Sequence, residues 1–171
     1  MRMKAHGVEA PSEWVVRWAP LIAHGTVLDV ACGSGRHAKY FLSMNLNVVA
    51  VDREPQVIPG ARFVQADLEG GKPWPFAGER FEGIVVTNYL HRPLFPRLLE
   101  ALAPGGVLLY ETFMLGNERF GRPSNPEFLL RPGELREAFG ELTEMGFEEG
   151  EVALPKPAMM QRLCAVRAGK G

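Results

Sequence analysis

Apolar positions along this chain fall into two alternating patterns. Nearly unbroken apolar runs occupy 26–31, 47–52, 62–67, 81–87 and 107–112, and the first three carry Asp29, Asp52 and Asp67. Runs of this length suit strands buried on both faces, so the five predict a parallel sheet. Between them, apolar residues recur every third or fourth position. Trp14, Val15, Trp18 and Leu21 predict an amphipathic helix over 13–22 with Ser12 as its N-cap, and Ala38, Phe41 and Leu42 give the inner face of a helix over 36–44. Pro93 suits a first helical position. Leu94, Phe95, Leu98, Leu99 and Leu102 then repeat as one buried face that stops at Ala103-Pro104-Gly105-Gly106.

Pro55 and Pro59-Gly60 disfavour a long helix between the second and third strands, leaving a turn or a loop. After the fifth strand, residues 113–131 are irregular and punctuated by Gly116, Gly121, Pro123 and Pro126. A helix at 132–139 leads into two strands, 147–154 and 162–167, joined through Pro155-Lys156-Pro157. The predicted fold class is α/β: a doubly wound, Rossmann-like sheet, largely parallel, with helices on both faces and one antiparallel edge.

A length of 171 residues fits one domain over 1–171, with 1–24 as a helical lead-in and 113–131 as a substrate-side loop. The formal charge of -1 gives no general attraction for nucleic acid or anionic lipid. Met1-Arg2-Met3-Lys4-Ala5-His6-Gly7 is positive but has no apolar segment behind it, so neither a leader nor a membrane span is expected and the cytoplasm is the default compartment. Cys32 and Cys164 lack metal-ligand spacing and fit a reducing environment. Cys32 reads as a small buried residue rather than a nucleophile, and no metal site is expected.

The chemistry concentrates where the first strand meets Cys32-Gly33-Ser34-Gly35 and then a helix. A glycine turn at a helix N-terminus lets backbone approach a ligand closely beside partial positive charge. Gly33-x-Gly35-x-x-Ala38 also satisfies a loose dinucleotide fingerprint. Asp29, an acid inside a buried strand, needs a partner. The ammonium of S-adenosylmethionine is one candidate, and the loop's own amides are another. Asp52 stands where an acid accepts both hydroxyls of a ribose. Asp67 can accept from an adenine amino group between Ala66 and Leu68, or can be an ordinary surface carboxylate.

Together these segments resemble the class I S-adenosylmethionine-dependent methyltransferases. The matching residues are Leu28-Asp29-Val30-Ala31-Cys32-Gly33-Ser34-Gly35, Val51-Asp52, Gln65-Ala66-Asp67-Leu68, the stretch 81–90, and Leu102-Ala103-Pro104-Gly105-Gly106 before the fifth strand. The resemblance implies seven strands in the order 3-2-1-4-5-7-6 with the seventh antiparallel, S-adenosylmethionine as cofactor and S-adenosylhomocysteine as product. It implies cofactor contacts at Asp29, Ala31, Cys32, Gly33, Ser34, Gly35, Asp52, Arg53, Ala66, Asp67, Leu68, Asn88 and Tyr89. Size and general motifs are loosely similar to the small tellurite-resistance methyltransferases. Two positions depart from the pattern. Ala31 stands where many members have the loop's first glycine, and Arg53 follows the ribose acid, where it can stack on adenine or favour a 2′-phosphate. The second option leaves a nicotinamide cofactor as an alternative.

Thr87-Asn88-Tyr89-Leu90-His91-Arg92-Pro93 ends the fourth strand, where cofactor and acceptor should meet. The Asn/Asp-Pro-Pro-aromatic signature of many adenine N-methylating enzymes is absent. His91 is the candidate catalytic base, set against a histidine that only packs or caps the next helix. In the 113–126 loop, Phe113, Met114, Arg119, Phe120 and Arg122 are the candidate substrate-side residues, suited to an anionic or aromatic small acceptor. A small-molecule methyltransferase is the leading expectation, without a nucleic-acid or membrane partner. An RNA or protein methyltransferase and a non-catalytic S-adenosylmethionine-binding protein are the alternatives.

Overall fold

The computed structural model describes residues 10–169, so the charged segment 1–7 lies outside the described residues. Seven strands form one sheet in the order β3-β2-β1-β4-β5-β7-β6. They are β1 (Thr26–Val30), β2 (Asn47–Asp52), β3 (Arg62–Gln65), β4 (Phe81–Thr87), β5 (Leu102–Phe113), β6 (Thr143–Val152) and β7 (Ala158–Val166). The first five pair in parallel, whereas β7 runs antiparallel to both β5 and β6. The expected strand order and the antiparallel edge are both present.

Strand side chains alternate between faces, and both faces are covered, which explains the unbroken apolar runs. Val27, Val85, Leu109 and Cys164 pack with Trp14, Ala38 and Phe41 from α1 (Glu13–Trp18) and α2 (Arg36–Ser43). Leu28, Val30, Ile84, Val86 and Tyr110 pack on the other face with Leu98, Leu135 and Phe139, in or beside α3 (Phe95–Ala101) and α4 (Glu134–Ala138). Each helix buries one stripe, and at about 25 cal/mol per Å² this two-sided burial supplies the main cohesion of the fold.

Several boundaries differ from the sequence expectation. Pro20 tightens the first helix, which passes into a 3-10 turn at Ala19–Leu21; Leu21 is 41% exposed and Ile22 takes the buried position. Strand β1 stops at Val30 rather than 31, because Ala31 turns into the left-handed region at φ +54°. Strand β3 ends at Gln65, leaving Asp67 on a loop. Leu102 already pairs with Phe81, and Gly105 donates to the Arg167 carbonyl, so β5 begins five residues before the expected 107. The last helix starts at Glu134, since Gly133 at φ +69° breaks the backbone before it. The hairpin strands each start four residues early, and Thr143 pairs with Val166. No helix among the described residues is long and apolar enough to cross a membrane.

Candidate cofactor and acceptor site

At the carboxyl ends of β1, β2, β4 and β5, and beside the loop after β3, lies a cavity of about 480 Å³. Such a position follows from topology: neighbouring loops diverge where the strand order reverses, here between β1 and β4. Ala31 lines it after β1, and Asp52 and Arg53 do so at the end of β2. Ala66, Asp67, Leu68 and Glu69 come from the loop after β3, and Asn88, Tyr89 and Leu90 from the loop after β4. Thr112 and Phe113 on β5, with Pro123 and Phe128 beyond it, close the far end.

The glycine turn is built by three consecutive supports. Cys32 N–H donates to the Val51 carbonyl at 3.0 Å, Gly33 N–H donates to Asp52 Oδ2 at 2.8 Å, and Gly35, at φ +87°, leads into α2. Glycine is required at 35 on two counts: its φ is positive, and a Cβ there would sit 2.7 Å from Ile58 Cδ1. Asp52 also accepts from Glu54 N–H on Oδ1 at 2.9 Å, so its carboxylate is fixed by two backbone donors while remaining on the cavity wall. Asp67 is held similarly, its Oδ1 accepting from Glu69 N–H at 3.0 Å.

Asp29 is 2% exposed and lies behind the lining. Its Oδ2 accepts from Ala38 N–H at 3.0 Å, satisfying an orphan donor in the first turn of α2. Burial pushes this carboxyl up to about 7, against the lowering effects of the Ala38 bond and Arg36. Among the described residues no donor reaches Oδ1 of Asp29. Cys32, Gly33, Ser34 and Gly35 likewise form the turn without lining the cavity, and burial, reinforced by the Asp29 and Asp52 charges, pushes the Cys32 thiol up to about 12. That thiol is inert at neutral pH.

Of the expected cofactor contacts, Ala31, Asp52, Arg53, Ala66, Asp67, Leu68, Asn88 and Tyr89 are brought together on one cavity wall. Tyr89 donates its hydroxyl to Glu69 Oε2 at 3.1 Å; burial and the Glu69 charge hold its phenol well above the ordinary range. His91 is off the lining, with Nδ1 3.7 Å from Glu69 Oε1. On the acceptor side, Phe113 lines the cavity and the other four expected residues do not. Met114 is buried in the core, because its backbone joins the sheet edge through Met159 and Leu130. Arg119 turns to Glu151 and lies over Phe120, while Arg122 is exposed.

Sequence reasoning missed Glu69, Leu90, Thr112, Pro123 and Phe128. Thr112 and Leu90 had a signal, since each adjoins a residue already placed at a strand end. Pro123 and Phe128 fall within the 113–131 loop expected on the substrate side, but no local pattern singled them out from the rest of that loop.

The fit to an adenosine cofactor rests on two fixed carboxylates, Asp52 and Asp67, on one lining with the apolar Ala66 and Leu68, and on the buried Asp29 carboxyl at the base of the turn. A ribose and an adenine each require such an acceptor. Arg53 is 3.7 Å from Glu54 and on the same wall, so its charge is partly countered.

Residues 27–106 match a methyltransferase domain family. Trans-aconitate 2-methyltransferase of Paracidovorax citrulli (strain AAC00-1) is 30% identical over 112 residues, covering 57% of this chain and 42% of the relative. The tRNA U34 carboxymethyltransferase of Shewanella piezotolerans is 30% identical over 156 residues, covering 72% and 47%. The chain thus spans less than half the length of these curated relatives. TehB from Haemophilus influenzae superposes with a TM-score of 0.71 at 18% identity, over 97% of this chain and 63% of that one. The 1,6-didemethyltoxoflavin-N1-methyltransferase from Burkholderia thailandensis, with its acceptor and S-adenosylhomocysteine bound, gives 0.64 at 21% identity, over 91% and 76%. At such identities the structures speak for the fold alone. Residues 27–106 are thus similar to the methyltransferase domain family, and the chain carries the fold of the class I S-adenosylmethionine-dependent methyltransferases.

Proposed function

We propose that the protein transfers the methyl group of S-adenosylmethionine to a small-molecule acceptor. The observation that carries the proposal is one continuous cavity: fixed acids line one end, and an apolar end opens beside β5 and the 113–131 loop. In this reading Asp52 accepts from the ribose hydroxyls and Asp67 from the adenine amino group, with Ala66 and Leu68 as walls. Asn88 and Tyr89 face the methionine end, and Oδ1 of Asp29 takes the ammonium directly or through water. When bound, S-adenosylmethionine supplies an electrophilic methyl group on a sulfonium, so alignment matters more than a strong base. His91, engaged by Glu69 and off the lining, is given no proton transfer.

Similarity to a small-acid methyltransferase supports the small-molecule class, as does a lining whose acids, Asp52, Asp67 and Glu69, outnumber the single cation Arg53 among the described residues. An acidic lining repels the phosphates of an RNA acceptor, which weighs against transfer to tRNA despite the second relative. Calorimetry with S-adenosylmethionine, S-adenosylhomocysteine and NADP tests the cofactor. The first two should bind, the third should not, and Asp52→Ala should weaken binding at least tenfold. Unchanged binding in that variant, or preference for NADP, overturns the reading. Release of S-adenosylhomocysteine across metabolite, RNA and protein pools then tests the acceptor class.

A further inference from the structure

The methyltransferase reading leaves the acceptor's chemistry open, and the far end of the cavity constrains it. Phe128 is 52% exposed, yet the backbone on both sides of it is hydrogen-bonded. Arg92, just after the β4 loop, donates through Nη1 to the Glu127 carbonyl and through Nη2 to the Leu129 carbonyl, each at 2.9 Å, so one guanidinium grips the chain on both sides of the ring. The same guanidinium holds Glu134 in a two-pronged pair, Nε to Oε2 at 2.6 Å and Nη2 to Oε1 at 3.0 Å. Asn125 Oδ1 accepts from Glu127 N–H before the ring, and after it Leu129 and Leu130 are buried, with Leu130 N–H donating to the Phe113 carbonyl at 3.0 Å. Phe128 lines the cavity while half exposed, so its held backbone presents a large apolar ring to whatever fills that end.

Charge narrows the ligand. Every bond Arg92 donates goes to Glu134 or to backbone, and Arg119 is engaged by Glu151 and the Gly116 carbonyl. Arg53 is the one cation on the lining among the described residues, and it shares that lining with Asp52, Asp67 and Glu69. A polycarboxylate would therefore meet a lining of three acids and one guanidinium, that of Arg53, which Glu54 partly counters at 3.7 Å. A flat ring would meet Phe113, Phe128, Leu90 and Pro123.

Resting on the methyltransferase reading, we propose that the acceptor is a planar ring compound, neutral or cationic, lying against Phe113 and Phe128, with Arg92 as the residue that positions Phe128. This separates the chain from its tricarboxylate-methylating relatives. The test titrates 2-naphthol, 4-aminoquinoline and trans-aconitate into the full chain, alone and with saturating S-adenosylhomocysteine, for the wild type, Phe128→Ala and Phe128→Trp. The two ring probes should bind and trans-aconitate should not. Phe128→Ala should weaken ring binding about tenfold and Phe128→Trp should restore it, with S-adenosylhomocysteine affinity unchanged in both. Trans-aconitate binding more tightly than the rings, or ring affinity indifferent to Phe128, overturns the proposal. Failure of S-adenosylhomocysteine itself to bind strikes the cofactor reading instead, and the titrations without it still decide whether this wall takes rings.

Discussion

His37 accepts the backbone N–H of Ser12 on Nε2 at 3.0 Å, joining the first turn of α2 to the cap of α1. An unprotonated Nε2 places the ring proton on Nδ1, which faces Thr87 Oγ1 at 3.5 Å. One imidazole thus ties the lead-in helix, the helix after the glycine turn and the end of β4, next to Asn88 on the cavity wall. Arg36 adds a second tie to the same segment, donating to the Ala10 carbonyl at 3.1 Å.

This bond requires a neutral ring. Burial, helped by the Arg36 charge, lowers the His37 pKa to about 3. Below its ordinary value near 6.5 the unfolded chain binds a proton that the folded one refuses. The stabilisation is therefore complete above about pH 6.5 and is lost as pH falls towards 3, at up to about 1.4 kcal/mol per pH unit. His37→Gln, which keeps an acceptor for Ser12, should remove the His37 contribution to the slope and no other; His37→Ala should in addition cost about 2 kcal/mol, because it leaves a half-buried N–H unpaired. Urea unfolding between pH 4 and 8 measures both effects, and a Gln variant with the wild-type pH slope would contradict the assignment.

Asp29 works in the opposite direction over nearly the same range. Its folded pKa of about 7 lies above the unfolded value of 3.8, so the folded state binds the extra proton. Its contribution is fully present below pH 3.8 and is lost as pH rises through 7. From about pH 4 to 6.5 the Asp29 and His37 slopes oppose one another, and the wild type should show little net dependence from this pair. Asp29→Asn keeps an acceptor for Ala38 N–H and unmasks the His37 slope: its stability should rise with pH across that window, whereas that of His37→Gln should fall. Two parallel profiles would exclude this balance. S-adenosylmethionine that placed its ammonium on Asp29 would pull the carboxyl back down, so the Asp29 slope should shrink with ligand.

The features legible in the sequence were those written in local pattern. The two-faced core and the acids at the ends of β1 and β2 follow from apolar runs with fixed endpoints, whereas the strand order came from the resemblance to the methyltransferases. What escaped depends on long-range contact. His37 looks like any helical residue until Ser12, 25 positions earlier, folds onto it. Met114 looked like loop surface because its bridge to Leu130 and its bond to Met159 lie far along the chain. Phe128 reaches the cavity on a segment held by distant partners, among them Arg92, which donates to the carbonyls on either side of it. Boundaries shifted where a proline, a positive φ or a late strand pairing competed with hydrophobic periodicity.

Ala31 carries a cost visible in its backbone. At φ +54° a Cβ crowds the following carbonyl, a strain of roughly 1–2 kcal/mol that glycine does not bear. The residue lines the cavity at the turn between β1 and the glycine loop, where the Cys32 and Gly33 bonds over-determine its conformation. Ala31→Gly should stabilise the chain by about 0.5–1 kcal/mol, the relief being partly offset by greater freedom of the unfolded state. Thermal or urea midpoints compared with those of the wild type check this. A destabilised variant would mean that the methyl group makes contacts worth more than the strain.

The Arg92–Glu134 pair should couple stability to the acceptor end. Glu134 is 4% exposed at the start of α4. Burial alone would raise its pKa, but the Arg92 bond and the Arg131 N–H outweigh it and hold the carboxyl below its ordinary value. The pair's contribution is therefore present above about pH 4.5 and lost as acid protonates Glu134. Removing one partner strands the other, and since Arg92 is one-third exposed the cost of Arg92→Ala should be about 2 kcal/mol, below the range for a fully buried pair. Arg92→Lys separates the two roles: a single ammonium can keep the charge opposite Glu134 but cannot also hold the Glu127 and Leu129 carbonyls in the same geometry. That variant should keep most of the stability and its S-adenosylhomocysteine affinity, while ring probes bind several-fold more weakly because Phe128 is no longer fixed. Weakening of S-adenosylhomocysteine in step with the rings would place Arg92 in general support of the cavity rather than behind Phe128.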